Sequence, residues 1–198
     1  MEPMVSAVLL AAGLSSRMGR AKQLLVLGDK PVVRRCLDAL LDAGIRDIVV
    51  VINLQGGAIA ETLCGAPVNI LVNDIPNSDM AESMRIGLRG LGHKPTGVLV
   101  CLSDHPLVSA KTIGVLCNEH RADQEKIIVP IYNGRRGHPT LFPATIIQEL
   151  FSGMTLRDII RSNPQRVRSV DVDDEGIVLD MDTEEDYRTM VEKISVHT

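Results

Sequence analysis

Short, uniformly apolar runs alternate along this chain with stretches in which apolar residues recur every three or four positions. The runs Val5 to Ala12, Asp47 to Asn53, Val68 to Val72, Gly97 to Leu102 and Lys126 to Ile131 carry hardly any polar residue on either face. Such runs read as strands buried on both sides, the habit of a parallel sheet. Between them lie helical patterns. Pro31 opens one with Val33, Leu37, Leu40 and Leu41 on a single face, closed by Gly44. Ile59 to Leu63 suggests a short helix, and Met80 to Leu91 a longer one bearing Met84, Leu88 and Leu91; Ser109 caps a helix through Leu116. Asn133-Gly134 is a turn signal after which Thr140 to Phe142 returns as a strand. Ser152-Gly153 separates two short helical stretches, the second capped by Thr155. Arg166 to Val172 alternates as a strand does, and so, briefly, does Ile177 to Leu179. Thr183 with Asp186 three residues on is an acidic variant of a capping box and opens a last helix to about Ile194.

Strands alternating with helices imply an α/β layered fold on a mainly parallel sheet, made mixed by the antiparallel element near Asn133. No repeat, low-complexity tract or linker interrupts the pattern, so residues 1–198 read as one domain. Composition narrows the function. With two Tyr, two Phe and no Trp the core is aliphatic, and there is no aromatic platform for stacking nucleic-acid bases. A net charge of −4 argues against general nucleic-acid affinity but leaves room for a local basic site. Cys36, Cys64, Cys101 and Cys117 form no C-x-x-C pair; each reads as a small core residue, and free thiols fit a reducing compartment. The first apolar run is too short to span a membrane, and no leader pattern precedes it. A cytoplasmic protein without membrane contact is the expectation.

The loop after the first strand, Gly13-Leu-Ser-Ser-Arg17-Met18-Gly19-Arg20-Ala-Lys22, lies where parallel sheets bind ligands, beyond a strand's carboxyl end. Its glycines let the backbone approach a phosphate, its N–H groups form an anion cradle, Arg17 can fork onto phosphate oxygens and Lys22 supplies a point charge. It is neither a P-loop, since five residues separate Gly13 from Gly19, nor a G-x-G-x-x-G dinucleotide fingerprint. The missing fingerprint argues against a nicotinamide oxidoreductase.

Leu10 to Lys22 resembles the signature L-A-A-G-x-x-x-R-M-G-x-x-K of nucleotidyltransferases related to the molybdenum cofactor cytidylyltransferases and guanylyltransferases, the MobA-like NTP transferases. The resemblance implies a three-layer Rossmann-like nucleotidyltransferase fold. It further implies that Ala11, Ala12 and Gly13 contact base and sugar while Arg17 and Lys22 hold the triphosphate. Met80 to Leu88 is similar to the family's G-M-x-x-S-L-x-x-G-L, which brings Ser83 to the nucleotide; Asp79 stands where the family often has glycine. Ser103-Asp104-His105-Pro106 resembles its D-x-P, with Asp104 on Mg²⁺, and Asp180-Met-Asp182-Thr183-Glu-Glu-Asp186 its D-x-D-T-P-E-D, with Asp182 preferred over Asp180 as the second ligand. Arg136-Gly137-His138-Pro139 resembles the G-H-P element of the cytidylyltransferase branch, so Gly137 and His138 are expected at the second substrate. His105 is a further candidate; His93, His120 and His197 sit in loop or terminal contexts and carry no signal.

The reaction so implied is Mg²⁺-dependent nucleotidyl transfer, in which a terminal phosphate of the acceptor attacks the α-phosphorus and pyrophosphate leaves. Lys22, Arg17 and Asp104 are the expected catalytic groups. GTP-using members tend to carry Ala-Gly-Gly, and the Ala12 methyl here narrows the pocket. CTP is therefore the expected donor and molybdopterin the acceptor, with a molybdoenzyme or its chaperone as recipient of the product. Two alternatives stand beside this: transfer to a sugar or alcohol phosphate, and a non-catalytic protein that binds and delivers the finished cofactor.

Overall fold

In the computed structural model, residues 4–13, 18–76 and 78–196 are described. The strands are β1 (Val5–Leu10), β2 (Val26–Leu27), β3 (Lys30–Pro31), β4 (Ile48–Asn53), β5 (Asn69–Asn73), β6 (Gly97–Leu102), β7 (Ile127–Tyr132), β8 (Arg135–Arg136), β9 (Thr140–Pro143) and β10 (Val167–Asp171). The helices are α1 (Val32–Asp42), α2 (Gly57–Thr62), α3 (Met80–Arg89), α4 (Ala110–Ala122), α5 (Ala144–Ile147), α6 (Leu156–Ser162) and α7 (Glu184–Val196).

The main sheet runs β10-β7-β9-β6-β1-β4-β5, with β8 paired to β7. All neighbours are parallel except those of β9, antiparallel to β6 and β7, and the β7–β8 pair. Strand alternation explains the doubly apolar runs. Ala7 and Leu9 of β1, followed by Ala11, enter one core with α1, α2 and α4; Val8 and Leu10 enter the other with α3, α5 and α6. Helices thus cover both faces of a mixed, mostly parallel sheet. A third cluster, Leu27, Val32, Met181 and Met190, seats α7 against the β2–β3 hairpin.

The chain leaves β1 toward β4 and β5, then returns to place β6 on the other side of β1. The order of strands reverses there, which opens a crevice at the carboxyl ends of β1 and β6.

Most differences from the sequence expectations are of extent; three are of kind. Ile177 to Leu179 is not a strand: Glu175–Val178 forms a 3-10 turn, capped by the Asp174 carboxylate, which accepts from the Gly176 N–H. His120 is not in a loop but wholly buried in α4, with Nε2 3.1 Å from Thr96 Oγ1. Cys64 is exposed rather than in the core, whereas burial pushes the thiols of Cys36 and Cys117 up, to about 12 and about 11. The return from Asn133-Gly134 is made at once by β8, while β9 slots between β6 and β7.

Candidate active site

The crevice holds a cleft of about 470 Å³ lined from the carboxyl ends of β1, β4, β5 and β6 and from the start of α3. Its wall includes Ala12, Gly13, Lys22, Asn53, Asn73, Ser83 and Asp104. Lys22 reaches it because the loop after β1 ends in a 3-10 turn, Lys22–Leu24, that buries both Lys22 and Gln23. Asp104 follows β6, whose end is tied to β1 by the Ser103 N–H donating to the Leu10 carbonyl at 3.1 Å.

Lys22 Nζ donates to Asp104 Oδ2 at 2.9 Å and to Asp182 Oδ1 at 2.8 Å. Residues far apart in sequence thus meet around the ammonium of one lysine that is only 8% exposed as a residue. Burial works against its charge, yet the hydrogen bonds and charges of Asp182 and Asp104 outweigh it and hold its pKa above the ordinary lysine value. Asp182 is brought there by two devices. The Met181 N–H donates to the Asp104 carbonyl at 2.9 Å. The Asp186 carboxylate accepts from the N–H groups of Asp182 (3.0 Å) and Thr183 (2.7 Å) and fixes the start of α7 as the capping pattern predicts. Asp180 is exposed and does not join the ammonium.

The donor set fits a hard divalent cation. Both groups are carboxylates, and Asp104 Oδ1 is buried without a hydrogen-bond partner, so it has lone pairs to give. Among the described residues no three His, Cys, Asp or Glu side chains are arranged to hold a metal by themselves. A cation here would therefore complete its shell with water and phosphate oxygens, as Mg²⁺ and Mn²⁺ do.

The other expected residues fall into three groups. Ala12, Gly13 and Ser83 line the cleft. Ala11 does not: its side chain is in the core and its N–H donates to the Val51 carbonyl at 2.8 Å. Gly137 and His138 also lie outside the cleft wall. His138 borders a small neighbouring cavity with His105, Cys36 and Cys101, its ring 5.2 Å from that of His105. Burial, and then His105, lowers its imidazole to about 4, so it is neutral at neutral pH. Arg17 lies outside the described residues. Asp79, in place of the family's glycine, caps α3 by accepting from the Glu82 N–H at 2.7 Å.

Gly137 has a packing reason of its own: a Cβ there would run into the carbonyl of Ile177. That carbonyl also accepts the His138 N–H at 2.9 Å, so it is not free to move. Gly137→Ala is expected to cost about 1–3 kcal/mol of stability by overpacking, measurable as a lowered melting temperature.

Sequence reasoning passed over Gln23, Asn53 and Asn73, all of which line the cleft. A signal existed for two of them. Asn53 and Asn73 are polar residues closing apolar strands at the carboxyl edge, where a side chain meets ligand rather than core.

Known proteins share this sequence pattern and fold. Residues 7–167 match the MobA-like NTP transferase domain. The chain belongs to that family. It is 25% identical to the molybdenum cofactor cytidylyltransferase of Escherichia coli (strain K12) over 96% of each chain. It is 31% identical to nicotine blue oxidoreductase of Paenarthrobacter nicotinovorans, over 95% of this chain and 97% of that protein. Among solved structures, Rv0371c of Mycobacterium tuberculosis H37Rv superimposes with a TM-score of 0.84 at 28% identity, covering 96% and 98% of the two chains. Rv0371c in complex with manganese gives 0.80 at 27% identity, covering 97% and 100%. As a MobA-like NTP transferase, the chain carries a fold that binds nucleoside triphosphates, and its described helices include none long and apolar enough to cross a membrane.

Proposed function

We propose that this MobA-like protein transfers CMP from CTP to the terminal phosphate of molybdopterin, releasing pyrophosphate. The observation that carries the reading is the pair of carboxylates, Asp104 and Asp182, gathered about Lys22 at one end of a cleft of nucleotide size. Likeness to the cytidylyltransferase named above supports the choice of donor and acceptor. Asp104 and Asp182 would hold a divalent ion, Mg²⁺ by preference; the manganese complex of Rv0371c supports a metal of that class. Bound there, such an ion supplies neutralising charge to phosphate oxygens.

The chain's own groups do the rest. Lys22 offsets the charge that builds on departing pyrophosphate. The acceptor's phosphate oxygen forms a new bond to the α-phosphorus as the bridge to the β-phosphate breaks, and the bridging oxygen leaves with pyrophosphate. An anionic acceptor needs no strong general base, so positioning and charge neutralisation carry the rate. Gly137 and His138 lie outside the cleft wall, with His138 beside His105 at a small neighbouring cavity, and are assigned to the acceptor rather than to the nucleotide.

Pyrophosphate release measured over the four triphosphates, with Mg²⁺ and molybdopterin, tests the reading. Turnover with CTP is the expected result; turnover only with UTP and a sugar phosphate would overturn the acceptor and donor assignment. The relative named an oxidoreductase supports a second reading, reduction of a bound substrate in the same cleft. A parallel arm following oxidation of reduced nicotinamide dinucleotides separates the two.

A further inference from the structure

Side-chain amides fix the direction of the hydrogen bonds in the cleft wall. Asn73, at the end of β5, is 3% exposed. Its Oδ1 accepts from the Ile75 N–H at 3.1 Å. A backbone N–H can only donate, so the opposite atom is the amino nitrogen. That Nδ2 donates to Ser78 Oγ and Ser83 Oγ, each at 2.8 Å. An amino group cannot accept, so both hydroxyls accept from it and keep their own hydrogens for another partner. Ser78 and Ser83 both line the cleft.

Asn53 repeats the device at the end of β4. Its Oδ1 accepts from the Gln55 N–H at 3.0 Å and its Nδ2 donates to the Ala12 carbonyl at 2.9 Å. Gln23 does the same for the next residue, Nε2 donating to the Gly13 carbonyl at 3.1 Å. The two carbonyls at the mouth of the loop are therefore engaged by side-chain amides. Their neighbouring N–H groups, at Ala12 and Gly13, have no acceptor among the described residues. This stretch of the wall is left with donors, N–H from Ala12 and Gly13 and O–H from Ser78 and Ser83. Of the carboxylates that line the cleft, Asp104 is engaged by Lys22 and Asp79 by the Glu82 N–H, while that of Asp74 is exposed.

We infer that this polarity selects cytosine, with Asn73 and Asn53 as the positioning residues that set it. Cytosine presents two adjacent acceptors, the ring N3 and the carbonyl O2, to a donor wall, and its exocyclic amine suits the Asp74 carboxylate. Uracil carries N–H at position 3, which would face donors, and a carbonyl where cytosine has its amine. Guanine presents two N–H groups on the same edge. A buried donor left facing a donor costs roughly tenfold to a hundredfold in affinity. The inference rests on the nucleotide-binding part of the function proposed above and adds the rule by which the base is chosen.

The test is equilibrium binding of CTP and UTP with Mg²⁺ and no acceptor, by titration calorimetry, on the wild type, Asn73→Asp and Asn53→Ala. The wild type is expected to prefer CTP at least roughly tenfold. In Asn73→Asp a carboxylate can only accept, so Ser83 donates to it and turns a lone pair to the base; the CTP to UTP preference falls to about one or inverts. Asn53→Ala frees the Ala12 carbonyl to accept and moves the ratio the same way. Equal wild-type affinity for CTP and UTP overturns the inference, and that measurement needs no variant to fold. So does a loss of affinity for both nucleotides at an unchanged ratio in the variants, which would make the asparagines scaffolding only. A wild type that binds neither nucleotide removes the transferase reading itself, a result distinct from the other two.

Discussion

Asp104→Asn is expected to lower nucleotidyl transfer roughly a thousandfold or more, about 4 kcal/mol of transition-state stabilisation, with the fold preserved. The substitution is nearly isosteric. It removes one of two charges beside Lys22 and replaces an oxygen pair with one oxygen and one amino group. Either orientation of the amide fails. If the amino group takes the place of Oδ1, the buried lone pairs available to a cation are gone; if it faces Lys22, a donor meets a donor. Initial rates of pyrophosphate release, with melting temperature as the fold control, check the expectation. A variant of full activity would sink the metal-assisted reading and favour a protein that binds and delivers the cofactor without chemistry. Asp182→Asn belongs to the same experiment, with a similar loss expected, whereas Asp180→Asn should stay near wild type, because Asp180 is exposed and makes no contact with the ammonium.

Much of this geometry was legible in the sequence, for identifiable reasons. A doubly wound sheet buries its strands on both faces, so β1, β4 and β6 announce themselves as unbroken apolar runs, and the residues that follow them fall at the ligand edge. Asp104 and the loop from Gly13 were found that way. The meeting of Asp182 with Asp104 was not readable from spacing, since it depends on a backbone bond from Met181 to Asp104 and on the cap that Asp186 builds. Resemblance alone supplied it. Ala11 and Ala12 look equivalent in the motif, yet strand alternation sends Ala11 to the core and Ala12 to the cleft. The place of His138 beside His105 rests on β9 entering between β6 and β7, a long-range pairing that no local pattern encodes. The directions of the Asn73 and Asn53 amides depend on which neighbours can only donate, and that is visible only once the strands are side by side.

Lys22→Met is expected to abolish turnover while making the carboxylates bind Mn²⁺ more tightly when no nucleotide is present. The ammonium lies between Asp104 and Asp182, bonded to an oxygen of each. A cation held by the same two carboxylates must share them with that positive charge. Removing the ammonium leaves two carboxylates facing each other, a repulsion that a divalent ion relieves. Mn²⁺ affinity, followed by the loss of the free-ion electron paramagnetic signal, should rise by roughly tenfold, near 1.4 kcal/mol. The melting temperature of Lys22→Met should fall without metal and recover with Mn²⁺ more than the wild type gains, as linkage requires of a ligand that binds only the folded state. Triphosphate affinity should move the other way, because the cation that would meet the phosphates is gone. In the wild type the two ligands would be coupled through Lys22, since phosphates that attract the ammonium would leave Asp104 and Asp182 freer to hold a cation. Mn²⁺ should therefore bind the wild type more tightly with CTP than without. A Lys22→Met variant whose Mn²⁺ affinity is unchanged would mean the ammonium is not a competitor, and the coupling would have to arise elsewhere in the loop.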